Sequence, residues 1–521
     1  MSLYLLVFWP VFTALAIYLI PKCKSMRAHE TIICDAFALI GSATEFLLCA
    51  FLMTEDLSCT MLKLGRLTIS FRFGGLNAIL VLIASFAWIC SICFMDKSVK
   101  SRVNCFFVFL TEACLTGVLL ADDYFTLFLY ASLCMLFAYP IVGSKTRRGK
   151  IAYFVTLLIC SISLLCAVIL LLRHLGTLSY QAIYTLSGLT DPQLMLRIGL
   201  LLALGSGFLT LFPAFHMMLR SMSDVGASHG LLFGSMMSKA GLTILLSLSA
   251  RMLSGSQRWH DILIVLGMML MLGSAGYALF NHNIKRIYAG VSLTQTGIIL
   301  IALSDFTLSG APESCGAAAL HMIVSALLET TFFGALCIVI RQSKTIWMDE
   351  INGFGRSKPV LNAVFLLTSL SFSGIPFLSG YISRLLVFLR IQSYISYTTL
   401  YVLSGAMVSA CMIRVYMTLF IEKSDRMPPD EGMDPFSATA LLIPTALSPL
   451  LGIFTDQLTI PMLSYILRRI YINGGGKFTG MYFYSGEYLL VALITLLLGI
   501  LLCWYTCRAF QRHKNDFQKE L

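Results

Sequence analysis

Apolar stretches of helix-spanning length, separated by short polar joints, run along almost the whole chain. A hydrocarbon core roughly 30 Å thick takes about 20 apolar residues per crossing helix. On that measure spans are predicted near 2–20, 31–53, 74–95, 104–121, 123–143, 150–172, 193–217, 224–249, 260–280, 284–304, 313–340, 359–389, 393–421, 436–454 and 486–508. The pattern predicts an all-α polytopic membrane protein with about 14–15 transmembrane helices. The first span has no basic leader and no A-x-A site, and Pro21 followed by Lys22 and Lys24 reads as a helix end, so it is expected to be kept. Helix breakers interrupt two spans: the seventh at Phe212-Pro213-Ala214-Phe215-His216, and the twelfth at Gly374-Ile375-Pro376, followed by Ser379-Gly380. Backbone freed from helical bonding at membrane depth is tolerated where it lines a cavity or a wet path, so paired breaks suggest an internal repeat. Two ordinary proline kinks are the alternative. The spacing suggests helices 1–3 in residues 1–103, one five-helix bundle in 104–250, a second in 259–421, and C-terminal helices with a tail in 422–521.

Composition agrees: 58% of residues are hydrophobic and 12% charged, against about 25% charged in soluble domains. That excludes a soluble enzyme, a disordered chain and a nucleic-acid binder. The net charge of +11 matters through its distribution. Assigning joints alternately to two sides gathers most basic residues on one, including Lys22, Lys97, Arg147, Arg148, Lys285, Arg286, Arg508 and Arg512. By the positive-inside rule that side is cytoplasmic, which predicts an inner (cytoplasmic) membrane protein with its N-terminus outside and C-terminus inside. The 16 cysteines lie mostly inside apolar runs; Cys90 and Cys93 have no second pair at metal-ligand spacing, so packing is their expected role and no metal site is expected.

Titratable residues near mid-span are few: Glu45, Glu112, Lys239, Glu329 and Arg384, with Arg414 nearer a helix end. A charge at mid-bilayer costs from about 2.5 to more than 10 kcal/mol, so each should face protein or water. Lys239, in Ser238-Lys239-Ala240-Gly241, could accept and release a proton once burial lowers its affinity, or could sit in a fixed ion pair. His321, Ser325 and Glu329 follow at steps of four and share one helix face, as a water wire or as interhelical hydrogen bonding would use. Arg384 stays protonated and is suited to an electrostatic role. Glu112 could supply a carboxylate to the first bundle, whereas Glu45 lies outside the repeats and serves equally as a structural partner. His216 and His229 could titrate near neutral pH or cap helix ends. There is no G-x-x-x-x-G-K-[ST], dinucleotide fingerprint, iron–sulfur cysteine cluster or nucleophile elbow, so no cofactor is expected and energy must come from a gradient or from neighbouring subunits.

Four segments in register resemble the antiporter-like subunits of respiratory complex I, membrane-bound hydrogenases and multisubunit cation/proton antiporters. Phe212-Pro213-Ala214-Phe215-His216, leading to Ser238-Lys239, is similar to the family's P-x-H-x-W-L-P segment and the lysine helix after it. Asn283-Ile284-Lys285-Arg286 through Gly297 resembles D-I-K-R-L-x-A-Y-S-S-I-S-Q-x-G. Leu320-His321 to Phe333 resembles H-x-x-x-H-A-x-x-K-x-x-L-F, and Ser373-Gly374-Ile375-Pro376 through Arg384 resembles G-I-P-P-x-x-G-F-x-S-K. The resemblance implies two inverted five-helix repeats with helices 7 and 12 broken, joined by a mid-membrane line of charges, inside a larger complex. Departures are informative too. The family's span-five glutamate falls on Ser132 and its span-seven lysine at or beside Leu209, so both members of one ion pair are missing together. Joint loss is physically sensible, because removing one would strand the other. Lys239 matches the span-eight lysine, Arg384 the span-twelve position, and Glu329 a place where many members have lysine.

The expectation is a non-redox membrane subunit that conducts, or helps to conduct, protons, possessing no redox site of its own. Its expected partners are other membrane subunits, a hydrophilic redox arm, protons or sodium, and the bilayer, with no nucleic acid. A degenerate scaffold without conduction and a free-standing secondary solute transporter are the alternatives.

Overall fold

A computed structural model describes residues 2–20, 30–94, 102–142, 147–210, 232–423, 433–470 and 482–520. The chain divides into two compact units, residues 1–262 with 306–315 and 465–475, and residues 263–305 with 316–464 and 476–521.

The first unit opens with α1 (Ser2–Leu19) and α2 (Glu30–Leu52). The joint after α2 is an antiparallel hairpin, β1 (Leu57–Leu64) and β2 (Leu67–Phe73), with Gly65 in the turn at φ +62°. The apolar-span reading has no strand here, so the chain is not purely helical. Alternating Leu67, Ile69, Phe71 and Phe73 favour the pleat. Next come α3 (Gly75–Phe94), α4 (Arg102–Leu120), α5 (Tyr124–Val142), α6 (Arg147–Leu175), the short α7 (Tyr180–Ser187) and α8 (Pro192–Thr210). After a π-helical turn at Leu232–Met237 the chain enters α9 (Ser238–Arg251). Asp123 ties the hairpin to α5. Its wholly buried carboxylate accepts from the Ser70 N–H at 3.0 Å, the Thr126 N–H at 2.7 Å and the Thr126 hydroxyl at 2.7 Å, and also from the Ser70 hydroxyl. The carboxylate thereby caps the first turn of α5 and fixes β2 above it.

The second unit contains most of α10 (Gln257–Leu279) and α11 (Ile284–Ser309), then α12 (Pro312–Ser343), α13 (Pro359–Phe372), α14 (Ser379–Ile391) and α15 (Ile395–Tyr416). Helices α16 (Pro435–Ile453), α17 (Ile460–Ile470) and α18 (Gly486–Glu520) complete the described chain. α10 and α11 approach closely: a Cβ at Gly297 would meet the Met271 nitrogen at 2.5 Å and the Gly267 carbonyl oxygen at 2.7 Å. Small residues at such crossings let helix backbones touch where lipid supplies no hydrophobic drive.

Among the described residues, eleven helices are long and apolar enough to cross a membrane, and three shorter apolar helices, α1, α8 and α13, fall on further expected spans. α11 is buried throughout its apolar window, whereas α6 and α18 expose Ile159, Ile162, Leu497 and Leu501, as helices against lipid do. The twelfth span is broken as expected, α13 ending at Phe372 and α14 starting at Ser379. The expected break in the seventh, at 212–216, lies outside the described residues, as do His216 and His229.

Candidate functional site

Local irregularities and polar neighbours position several of the buried titratable side chains. In the first unit Lys239 occupies the first turn of α9, directly after the π-helical turn, a kind of widening common at functional positions. It is wholly buried and therefore does not face lipid; its ammonium donates to the Ser238 hydroxyl at 3.4 Å.

Glu112 on α4 meets a residue that sequence reasoning left outside the bundle. Glu45, from α2, lies near enough to Glu112 for the two charges to act on each other, yet both Glu112 carboxyl oxygens and Glu45 Oε2 are buried without a hydrogen-bond partner among the described residues. Each is 1% exposed, and the Thr116 hydroxyl donates to Glu45 Oε1 at 3.2 Å. Two full charges so placed in a low dielectric would repel each other. The Ser132 hydroxyl of α5, where the family glutamate would stand, is buried without a hydrogen-bond partner among the described residues. The side chain of Leu209 lies outside the described residues.

In the second unit the polar face of α12 is occupied from both ends. The Ser292 hydroxyl of α11 donates to Glu329 Oε2 at 2.9 Å, and His321 Nδ1 lies 3.1 Å from the Ser383 hydroxyl of α14. Glu329, Ser325 and His321 are all buried, and eight residues of helix separate the outer two by about 12 Å. Ser383 immediately precedes Arg384, whose guanidinium donates to the Phe372 carbonyl at 2.8 Å. That carbonyl, at the end of α13, is freed by the helix break. Arg384 also lies over the Tyr401 ring at 5.6 Å and borders a cavity of about 50 Å³ with Ser373, Tyr381 and Tyr488.

Serines hold the break together. The Ser448 hydroxyl lies 2.9 Å from that of Ser371 and 3.0 Å from that of Ser379, and the Gly380 N–H donates to the Ser371 hydroxyl at 3.1 Å. Gly374 turns the chain at φ +73°, and Gly380 passes so close to the Ser371 carbonyl that no Cβ fits. The Asn283 carboxamide accepts from the backbone N–H groups of Lys285 and Arg286 at 3.0 and 3.3 Å, which makes it the N-cap of α11. Arg414 donates to the carbonyls of Ala278 and Asn281 at the far end of α10. Structure thus groups Glu329, His321 and Arg384 with Ser292 and Ser383 in one unit, and Glu112 with Glu45 in the other. Ser292 and Ser383 lie inside the quoted motif segments; nothing local marks the Glu45 contact. Among the described residues, no group of three or more His, Cys, Asp or Glu could hold a metal ion.

Comparisons with known proteins agree with this architecture. An NAD(P)H-quinone oxidoreductase chain 4 of Picosynechococcus sp. is 24% identical over 413 residues, 75% of this chain and 74% of that one. A second chain 4 from the same organism is 26% identical over 339 residues, 62% of this chain and 60% of its own length. Among solved structures, the Mrp complex of Dietzia sp. superposes with TM-score 0.81 at 20% identity, covering 97% of this chain and 56% of that one. This chain therefore spans about half the length of that Mrp chain. Respiratory complex I from Thermus thermophilus gives TM-score 0.76 at 17% identity, covering 91% of this chain and all of its counterpart. The transmembrane family described as NADH:quinone oxidoreductase/Mrp antiporter matches residues 121–412, more than half of the sequence. By fold, motif order and that match, the chain belongs to the NADH:quinone oxidoreductase/Mrp antiporter family of membrane subunits.

Proposed function

We propose that the chain conducts protons, as a non-redox subunit, through the buried charges of its two units, within an assembly that supplies the driving force. Lys239 is the central relay and Glu329 a second station, with Ser292 and His321 as its polar neighbours. Arg384 sets the local potential and holds the broken helix open, and Glu112 replaces the carboxylate lost at Ser132. His216 and His229 flank the approach to Lys239 in sequence. Helices 104–250 and 259–421 form the two bundles, the N-terminus faces outside and the C-terminus the cytoplasm. A redox arm or a sodium gradient, with further membrane subunits, completes the machine.

One observation carries the reading: Lys239 is fully enclosed on a membrane helix, where an ammonium is costly unless it is used or compensated. Proton flux by the assembled complex is expected to fall on Lys239→Ala. Undiminished flux through an intact Lys239→Ala assembly would remove the relay role.

A scaffold reading has its own support in the uncharged Ser132 and Leu209. It requires that joint neutralisation of Lys239, Glu329 and Arg384 leave flux unchanged while loss of the whole subunit disrupts assembly.

A further inference from the structure

A permanent charge stands at the middle of the second unit with nothing of opposite sign beside it. Arg384 is 7% exposed, and among the described residues it forms no ion pair. The Phe372 carbonyl takes one of its five N–H donors, and the Tyr401 ring lies beside the guanidinium. Depth makes the imbalance costly. A Cβ on Gly405 of α15 would come within 2.6 Å of Arg384 Nη2, so the guanidinium lies level with Gly405. Gly405 stands near the middle of α15, which runs from Ile395 to Tyr416, and is about 15 Å of helix from either end. A guanidinium at that depth calls for a counter-charge.

The cavity that Arg384 borders is built for an amphiphile. Its volume of about 50 Å³ has room for a carboxyl group and little more, roughly four waters at about 10–15 Å³ each. Much of its wall is apolar or aromatic, with Leu385 and Phe388 of α14, Tyr401 of α15, and Val491 and Ala492 of α18. Most hydroxyls on the wall are already used. Those of Tyr381 and Tyr401 donate to the Phe483 and Arg384 carbonyls at 2.9 Å, and those of Ser373 and Thr495 to the Ser369 and Val491 carbonyls at 2.8 Å. Tyr488 supplies the remaining one. Val402, Val491 and Ala492 are half-buried, so the cavity reaches the surface between α15 and α18, the helix largely open to lipid.

An anion suited to this place offers a planar charge to the guanidinium fork and a long apolar body to the wall. A phospholipid does not meet both demands, because its phosphodiester stays ionised and is held in the headgroup layer about 15 Å away. A carboxylic acid crosses lipid in its neutral form. We propose that this cavity binds the carboxylate of a long-chain fatty acid, paired with Arg384 and hydrogen-bonded by Tyr488, its alkyl chain leaving between α15 and α18. The acid arrives neutral and passes its proton to a cavity water, and the anion left behind pairs with the guanidinium. Bound there, it cancels the field that Arg384 imposes on its surroundings. That consequence rests on the electrostatic role given to Arg384 above; the binding itself does not.

Photolabelling tests the site without any measurement of flux, so failure of the proton relay and failure of this site are told apart. A palmitic acid carrying a diazirine near its carboxyl end is irradiated with the full-length protein in detergent, and the modified peptides are read by mass spectrometry. Label is expected within Leu385–Phe388 or Val491–Thr495, displaced by palmitate and not by methyl palmitate or phosphatidylglycerol. Arg384→Gln is expected to weaken binding about 10- to 100-fold, Arg384→Lys to restore part of it, and Tyr488→Phe to weaken it by a smaller factor. Absence of label at those segments, or undiminished binding by Arg384→Gln, overturns the proposal. Equal displacement by methyl palmitate reduces the site to an apolar groove, and equal displacement by phosphatidylglycerol overturns the choice of a fatty acid. Should Arg384→Gln yield no folded protein, Ala492→Phe decides, since it fills the cavity and keeps the charge; wild-type labelling of that variant overturns the proposal.

Discussion

Asp123 and Asp434 both cap helices, yet burial makes their consequences differ. Asp123 is fully enclosed and satisfies donors from β2 and from α5, so Asp123→Ala leaves several of them unpaired. The expected loss is about 2–3 kcal/mol, seen as a lower unfolding temperature of the detergent-solubilised protein, with Asp123→Asn losing less. Asp434 precedes α16 and is largely solvent-exposed. Burial pulls its pKa up slightly, but the Ser437 hydroxyl and the backbone N–H groups of Ser437 and Phe436 outweigh that and hold it below the ordinary value. A depressed carboxyl contributes stability at neutral pH that disappears as pH falls through the folded-state pKa. Asp434→Ala is therefore expected to cost at most about 1 kcal/mol at pH 7 and nothing under strongly acidic conditions, which paired melts at the two pH values would read.

The helix elements were largely legible because membrane depth imposes a length and a polarity that a single sequence displays. α3, α10 and α15 begin and end within a few residues of their expected bounds. The break between α13 and α14 was equally plain, since Gly374, Pro376 and Gly380 announce it. The hairpin was not, because two short strands carry no long apolar signal. Side-chain partnerships were the least legible. Thr116 and Glu45 are 71 residues apart, and no local rule relates α2 to α4. Gly380 carries the sharpest prediction at this scale. Gly380→Ala would force a methyl group into the Ser371 carbonyl, so a loss of about 1–3 kcal/mol in stability is expected, with less assembled protein recovered after mild heating.

Across the whole molecule, exposure divides the helices by what surrounds them. α11 is enclosed by protein, whereas only 22% of the α18 window is buried. A charge placed on that open face, as in Leu497→Arg, is expected to reduce membrane insertion by about 2.5–3.5 kcal/mol, measurable by the balance of inserted and uninserted forms in a microsome assay. α18 also outgrows the bilayer: its 35 residues extend about 52 Å against roughly 30 Å of hydrocarbon. Its apolar window ends at Arg508, whose guanidinium lies 3.9 Å above the Trp504 ring. Indole and guanidinium stacked at that point suit the headgroup layer, where amphipathic rings settle. Trp504 is 54% exposed, while Trp88 and Trp259 are sealed in protein. Its fluorescence thus offers a built-in waterline gauge: quenchers carried at graded depths in the acyl chains should dim this indole most when they ride near the lipid surface.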